Sequence, residues 1–190
     1  MQDSRFDHPQ REKHFVGAGM IQVKAGNYHV WQGFTLTLKE EIIFRAGNVY
    51  HLSGPNGSGK SSFIHKVLWE KIIKRDDCYV IRIQQQMDLQ LYAMRAWAAI
   101  YYPKSRIVDE KDVWDLMWTD LAKMKDGKPV VVISDEAKKL VIPQGLKREI
   151  CLIYSSHIYN LPESRAVNFE PVNGSQSMVY EGSSSRELSQ

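Results

Sequence analysis

Apolar and polar residues alternate in "MIQVKA", residues 20 to 25, and in "FTLTL", residues 34 to 38, the period of half-buried strands. A small antiparallel element is expected there. "NVYHLS", residues 48 to 53, predicts a strand that runs into a glycine-rich loop, and the following "SSFIHKVLWEKIIKR" places Phe63, Ile64, Val67, Leu68 and Ile72 on one helical face. Three further runs, "CYVIRI", "VVVIS" at 130 to 134 and "EICLIYS" at 149 to 155, are short, mostly apolar and contain β-branched residues. Such runs suit strands of a parallel sheet covered on both faces. Residues 87 to 100 and 111 to 125 read as helices. In the second, Val113, Leu116, Met117, Leu121 and Met124 form a stripe expected to face the core, ended by "DGKP".

With 190 residues, 43% of them hydrophobic and 25% charged, the chain has the composition of one globular domain. That domain is expected over 15–180, with a helical insertion at about 87–125, a polar arm at 1–14 and a disordered Gly/Ser-rich tail at 181–190. No apolar run approaches the ~20 residues of a membrane span, so no membrane insertion is expected. "MQDSRFDHPQREKH" has no apolar leader segment, and the expected location is cytoplasmic. Cys78 and Cys151 sit in apolar strands and read as reduced core residues. A formal charge of +3 is too small to argue for nucleic acid as partner.

The chemistry starts at "GPNGSGKSS", residues Gly54, Pro55, Asn56, Gly57, Ser58, Gly59, Lys60, Ser61 and Ser62. This is the G-x-x-x-x-G-K-[ST] pattern, in which successive backbone N–H groups curl around a phosphate at a helix N-terminus. Lys60 is expected to reach the β- and γ-phosphates, and the Ser61 hydroxyl to ligate Mg²⁺. A phosphate loop needs an acidic site opposite it. "VVVISDE" supplies one, with Asp135 as a further Mg²⁺ ligand and Glu136 as general base.

Together these motifs resemble the ABC-type ATPases. "MIQVK", the tyrosine of "AGNYHV", "FTLTL" and "AGNVYHLSGPNGSGKSS" follow that family's order of strand, aromatic, strand and loop. The resemblance implies ATP with Mg²⁺ as ligand and Tyr28 stacking on adenine, with Trp31 as the alternate. It further implies that Gln84 in "YVIRIQQQ" contacts Mg²⁺ and the attacking water, with Gln85 and Gln86 as rivals. His157 in "LIYSSHIYNL" would sense the γ-phosphate.

The family's LSGGQ loop has no counterpart between Gln84 and Asp135, an interval short for a full helical subdomain. Ala137 stands where a proline is usual, and "KKLVIPQG" does not resemble the D-loop. The expected fold is therefore an α/β P-loop NTPase: a mainly parallel sheet flanked by helices, with a small antiparallel β-layer and a reduced helical insertion. "LQLYAMRAWAAIYYPKSR", with Trp114 and Trp118 after it, interleaves aromatics and bases. It reads first as core with a charged rim, then as a protein-partner surface, then as a nucleic-acid surface. The expected function is a compact ATPase or ATP switch that drives a partner protein or works as a homo-oligomer. The alternatives are a HerA/FtsK-like nucleic-acid motor and a non-hydrolysing nucleotide-binding module.

Overall fold

The computed structural model describes residues 21–83, 87–104, 106–107, 109–137, 149–158 and 160–182. The readings placed on the arm, on Gln84, Gln85 and Gln86, on "KKLVIPQG" and on most of the tail lie outside those residues.

Among the described residues, ten strands and three helices follow one another in the order of an α/β fold. The first half holds β1 (Ile21–Val23), β2 (Gly26–Trp31), β3 (Phe34–Leu38), β4 (Ile42–Phe44) and β5 (Val49–Ser53). Helix α1 starts at Lys60–Ser62, widens to π-helical hydrogen bonding over Phe63–Leu68 and closes with Trp69–Ile72. Then come β6 (Tyr79–Ile83), α2 (Met87–Tyr101), α3 (Glu110–Lys123), β7 (Val130–Ser134) and β8 (Ile150–Ser155). A hairpin of β9 (Arg165–Asn173) and β10 (Gln176–Glu181) follows.

Eight strands form one mixed sheet in the order β2-β3-β10-β9-β5-β8-β7-β6. β9, β5, β8, β7 and β6 are all parallel, as is β3 with β10, while β2–β3 and β9–β10 are antiparallel. Central β5 is thus flanked by strands that come late in the chain. From β5 the chain crosses to edge strand β6 and fills the sheet back through β7 and β8, so β8 lies between β5 and β7. In open α/β sheets the crevice beyond the carboxyl ends of the strands, where strand order reverses, is where ligands bind.

Alternation along the parallel strands divides the core. Val131 and Ile133 of β7 and Cys151 and Ile153 of β8 face α1, which contributes Phe63, Ile64, Val67, Leu68 and Ile72 as the sequence predicts. Val130, Val132, Leu152 and Tyr154 face the other way, toward Trp114, Trp118 and Leu121 of α3. Because β7 is covered on both faces, all five of its residues are buried.

Three expectations are revised, and one element was not foreseen. The antiparallel element is divided: β1 pairs with β4 in a separate two-stranded sheet, whereas β2–β3 extends the main sheet through β10. The α3 stripe is rotated toward Trp114, Trp118 and Leu121, and Met124 is exposed, because burying two indoles removes more apolar surface from water than burying the methionine. Among the described side chains of α2 only Ala98 is fully buried; Leu89, Tyr92, Ile100 and Tyr101 are exposed, so this helix is not the core element the sequence suggests. The β9–β10 hairpin was not foreseen, although Gly174-Ser175 between two strand-like segments is a recognised two-residue hairpin signal.

Candidate functional site

The glycine loop leaves β5 at the carboxyl edge of the sheet, and the packing around it explains two of its glycines. Gly54 has φ 151°, and a Cβ there would stand 2.5 Å from the Phe169 carbonyl oxygen of neighbouring β9. Gly59, at φ 99°, opens α1, and a Cβ there would meet Leu36 Cδ2 at 2.7 Å. The loop is therefore seated against β9 and β3, with no room for side chains at either contact. Ser58 N–H donates to the Pro55 carbonyl at 3.2 Å, closing a turn, while the Ser58 Oγ is buried with no hydrogen-bond partner. Lys60 is buried, and its ammonium donates to the carbonyls of Gly54 at 2.6 Å and Pro55 at 2.9 Å. Burial lowers the Lys60 pKa, and the carboxylates of Glu136 and Asp135 work against that shift.

Across from the loop, β7 ends at Asp135 and Glu136. Asp135 is 5% exposed. Its Oδ1 accepts from the hydroxyls of Ser61 at 3.2 Å and Ser155 at 3.0 Å, and its Oδ2 faces His65 Nε2 at 3.5 Å. The other ring nitrogen of His65, Nδ1, is in close contact with the Arg82 guanidinium. Burial lowers the His65 pKa first, Arg82 adds to the shift and Asp135 opposes it. Glu136 is held at φ 52°, a left-handed conformation that costs a non-glycine residue of order 1 kcal/mol. The cost is offset where Glu136 N–H donates to Ser155 Oγ at 2.9 Å and Ala137 N–H donates to the Ser155 carbonyl at 2.8 Å. This turn directs the Glu136 side chain toward His157, whose Nε2 lies 3.2 Å from Oε1.

A cleft of about 650 Å³ opens between these groups. The loop contributes Asn56, Gly57, Gly59, Lys60, Ser61 and Ser62, and the strand ends contribute Glu136 and His157. The β2–β3 hairpin adds Trp31 and Phe34. Of the two aromatics the sequence offers, the cleft is lined by Trp31. Tyr28 instead packs against the first core and donates its hydroxyl to the Lys24 carbonyl at 2.7 Å. The Trp31 indole N–H donates to Ser62 Oγ at 2.5 Å, and Lys66 Nζ lies 5.0 Å from the ring centroid, so the ring is tied to α1 on two sides.

Lys60, Ser61, Ser62, Asn56, Gly57, Gly59, Glu136 and His157 thus meet at one cleft, with Asp135 touching Ser61 beneath it. Gly54, Pro55 and Ser58 shape the loop without lining it. His65, Ser155 and Phe34 were missed. His65 follows Ser61 by one helical turn and could have been found on that spacing, whereas nothing in the sequence places Ser155 beside Asp135 before the strand order is known. Among the described residues no group of three or more His, Cys, Asp or Glu side chains gathers as a metal site, and no helix is long and apolar enough to cross a membrane. Compared with known protein families, curated proteins and solved structures, the chain matches none of them.

Proposed function

We propose that this chain binds ATP with Mg²⁺ in the cleft, hydrolyses it, and uses the cycle to drive a partner protein, in the manner of a compact ABC-type ATPase. The observation that carries the reading is the Ser61–Asp135 contact, which joins the two halves of a nucleotide site across an intervening strand.

A hydroxyl and a carboxylate oxygen side by side are hard oxygen donors and fit Mg²⁺, a cation that keeps several waters and needs few protein ligands. When bound it would neutralise charge on the β- and γ-phosphates. Ser61 and Asp135 would hold it. The loop amides and Lys60 bind and orient the triphosphate, Lys60 exchanging its two carbonyl partners for phosphate oxygens of higher charge. Glu136 accepts a proton from the attacking water as its oxygen bonds to the γ-phosphorus and the bond to the ADP oxygen breaks. His157, already paired with Glu136, orients that carboxylate. Trp31, which lines the same cleft, supplies a flat apolar face for the base.

Steady-state ATP hydrolysis by the purified chain with Mg²⁺, over a range of protein concentrations, tests the reading. Lys60→Ala is expected to lose nucleotide affinity, and Glu136→Gln to bind ATP without turning it over. Normal hydrolysis by Glu136→Gln would remove the base assignment, and failure of the native chain to bind ATP at millimolar concentration would remove the reading.

A further inference from the structure

The Asp135 carboxylate is held from two sides. Ser61 and Ser155 both donate to Oδ1, while Oδ2 faces the His65 ring. His65 extends from the π-helical stretch of α1, a widening of the helix often found at functional positions. Behind it stands Arg82 of edge strand β6. The Arg82 guanidinium lies 4.8 Å from the Trp69 ring centroid, and its backbone carbonyl accepts from Gln90 at 2.7 Å. Arg82 is thereby fixed before it meets His65.

A guanidinium only donates hydrogen bonds, so the His65 nitrogen facing it, Nδ1, must present its lone pair. The neutral ring then carries its proton on Nε2, the nitrogen that faces Asp135 Oδ2 at 3.5 Å. Arg82 selects the tautomer, and the tautomer allows His65 to donate to the acid.

We propose that His65 is a positioning residue for the Asp135 carboxylate, with its ring set by Arg82, and that this pair tunes the affinity of the site for its divalent cation. The proposal rests on the reading of the cleft as a Mg²⁺–nucleotide site. With Oδ2 engaged by His65, rotation of the carboxylate is restrained and Oδ1 stays beside Ser61. Partners of this outer kind are worth about 10- to 100-fold in metal affinity elsewhere.

Two measurements on the full chain test it. The ¹⁵N shifts of the His65 imidazole, read without nucleotide, are expected to show the Nε2-protonated tautomer, and to lose that preference in Arg82→Ala. An Nδ1-protonated ring in the native protein overturns the proposal whatever the ligand. Mn²⁺ binding in the presence of ADP, followed by electron paramagnetic resonance, is expected to weaken roughly ten-fold in His65→Ala. ADP affinity in EDTA should stay unchanged, and His65→Gln, whose amide can still donate to Asp135, should recover most of the loss. Arg82→Ala should weaken Mn²⁺ alone but add nothing in the His65→Ala background. Unchanged Mn²⁺ affinity in His65→Ala and Arg82→Ala overturns the positioning role, as does an equal loss of metal-free ADP affinity, which would mark general damage. If His65→Ala does not fold, Arg82→Ala carries the comparison: unchanged Mn²⁺ affinity in it overturns the positioning role, while His65→Gln should stay near the native value. A native chain that binds no ADP at all overturns the nucleotide reading itself, which separates that failure from this one.

Discussion

The Ser61 hydroxyl donates to Asp135 Oδ1 at 3.2 Å across a sequence separation of 74 residues. The contact exists because β5 and β7 are parallel to the same neighbour, β8, so the start of α1 and the end of β7 emerge at one edge of the sheet. Asp135→Asn keeps the shape but removes the charge that a divalent cation needs. It is expected to leave metal-free nucleotide affinity within about two-fold of the native value and to weaken Mg²⁺-dependent binding by roughly ten-fold or more. Isothermal titration with ADP, with Mg²⁺ and with EDTA, checks this.

Trp31 lines the cleft and Tyr28 does not. Loss of a stacking aromatic costs about 1–3 kcal/mol per base. Trp31→Ala should therefore raise the Kd for ATP by roughly ten-fold while leaving that for inorganic triphosphate unchanged. Tyr28→Phe should change neither. Competition with triphosphate separates the base from the phosphates, and equal losses for both ligands would count against stacking.

The loop's seat makes Gly54 more sensitive than Gly57. Alanine at Gly54 puts a methyl group 2.5 Å from a backbone oxygen, whereas at Gly57 nothing lies within 4 Å and only the φ of 76° is unfavourable. Gly54→Ala is expected to cost roughly 3 kcal/mol, and Gly57→Ala about 1 kcal/mol. Thermal melting should rank them in that order, and the reverse ranking would contradict the packing of the loop against β9.

Burial of His51 lowers its pKa from 6.5, with the Ser156 carbonyl opposing the shift and Lys60 and His157 adding to it. The ring stacks on Tyr154 with centroids 4.8 Å apart. The unfolded chain therefore holds a proton on this residue at pH values where the native one does not, and stability rises with pH through that window. Above the unfolded value both states are neutral and the penalty vanishes. Melting temperature is expected to fall as pH drops from about 7.5 to 5.5, and to fall less steeply in His51→Gln.

Cys151 is fully buried, and desolvation pushes its thiol up to about 12; Cys78 is raised in the same direction by burial first. The thiolate is the reactive form. Alkylation with iodoacetamide at pH 8 should label neither cysteine quickly in the folded chain, with Cys151 slower than Cys78, and both after unfolding in urea. Fast labelling of Cys151 in the native state would refute its place between α1 and the sheet.

The glycine loop, the strand that leads into Asp135 and the buried face of α1 were all legible along the chain, because each depends on local order: a turn needing glycines, a short apolar β-branched run, a period near 3.6. The α3 stripe was legible in part: Leu121 and Met117 face the core as expected, but Trp114 and Trp118 carry more of the buried area and Met124 is left exposed. The hairpin of β9 and β10 went unread although its turn carried a signal. Strand order, by contrast, is a long-range property. It put β8 between β5 and β7, brought Ser155 and Ser61 to one oxygen of Asp135 and set Arg82 behind His65. The sequence determined the glycine loop, the acidic strand end and the residue types they bring, because residue type and local spacing are written in it. Only the tertiary structure decided which of them share an atom, because contacts between distant segments depend on how the whole sheet is assembled.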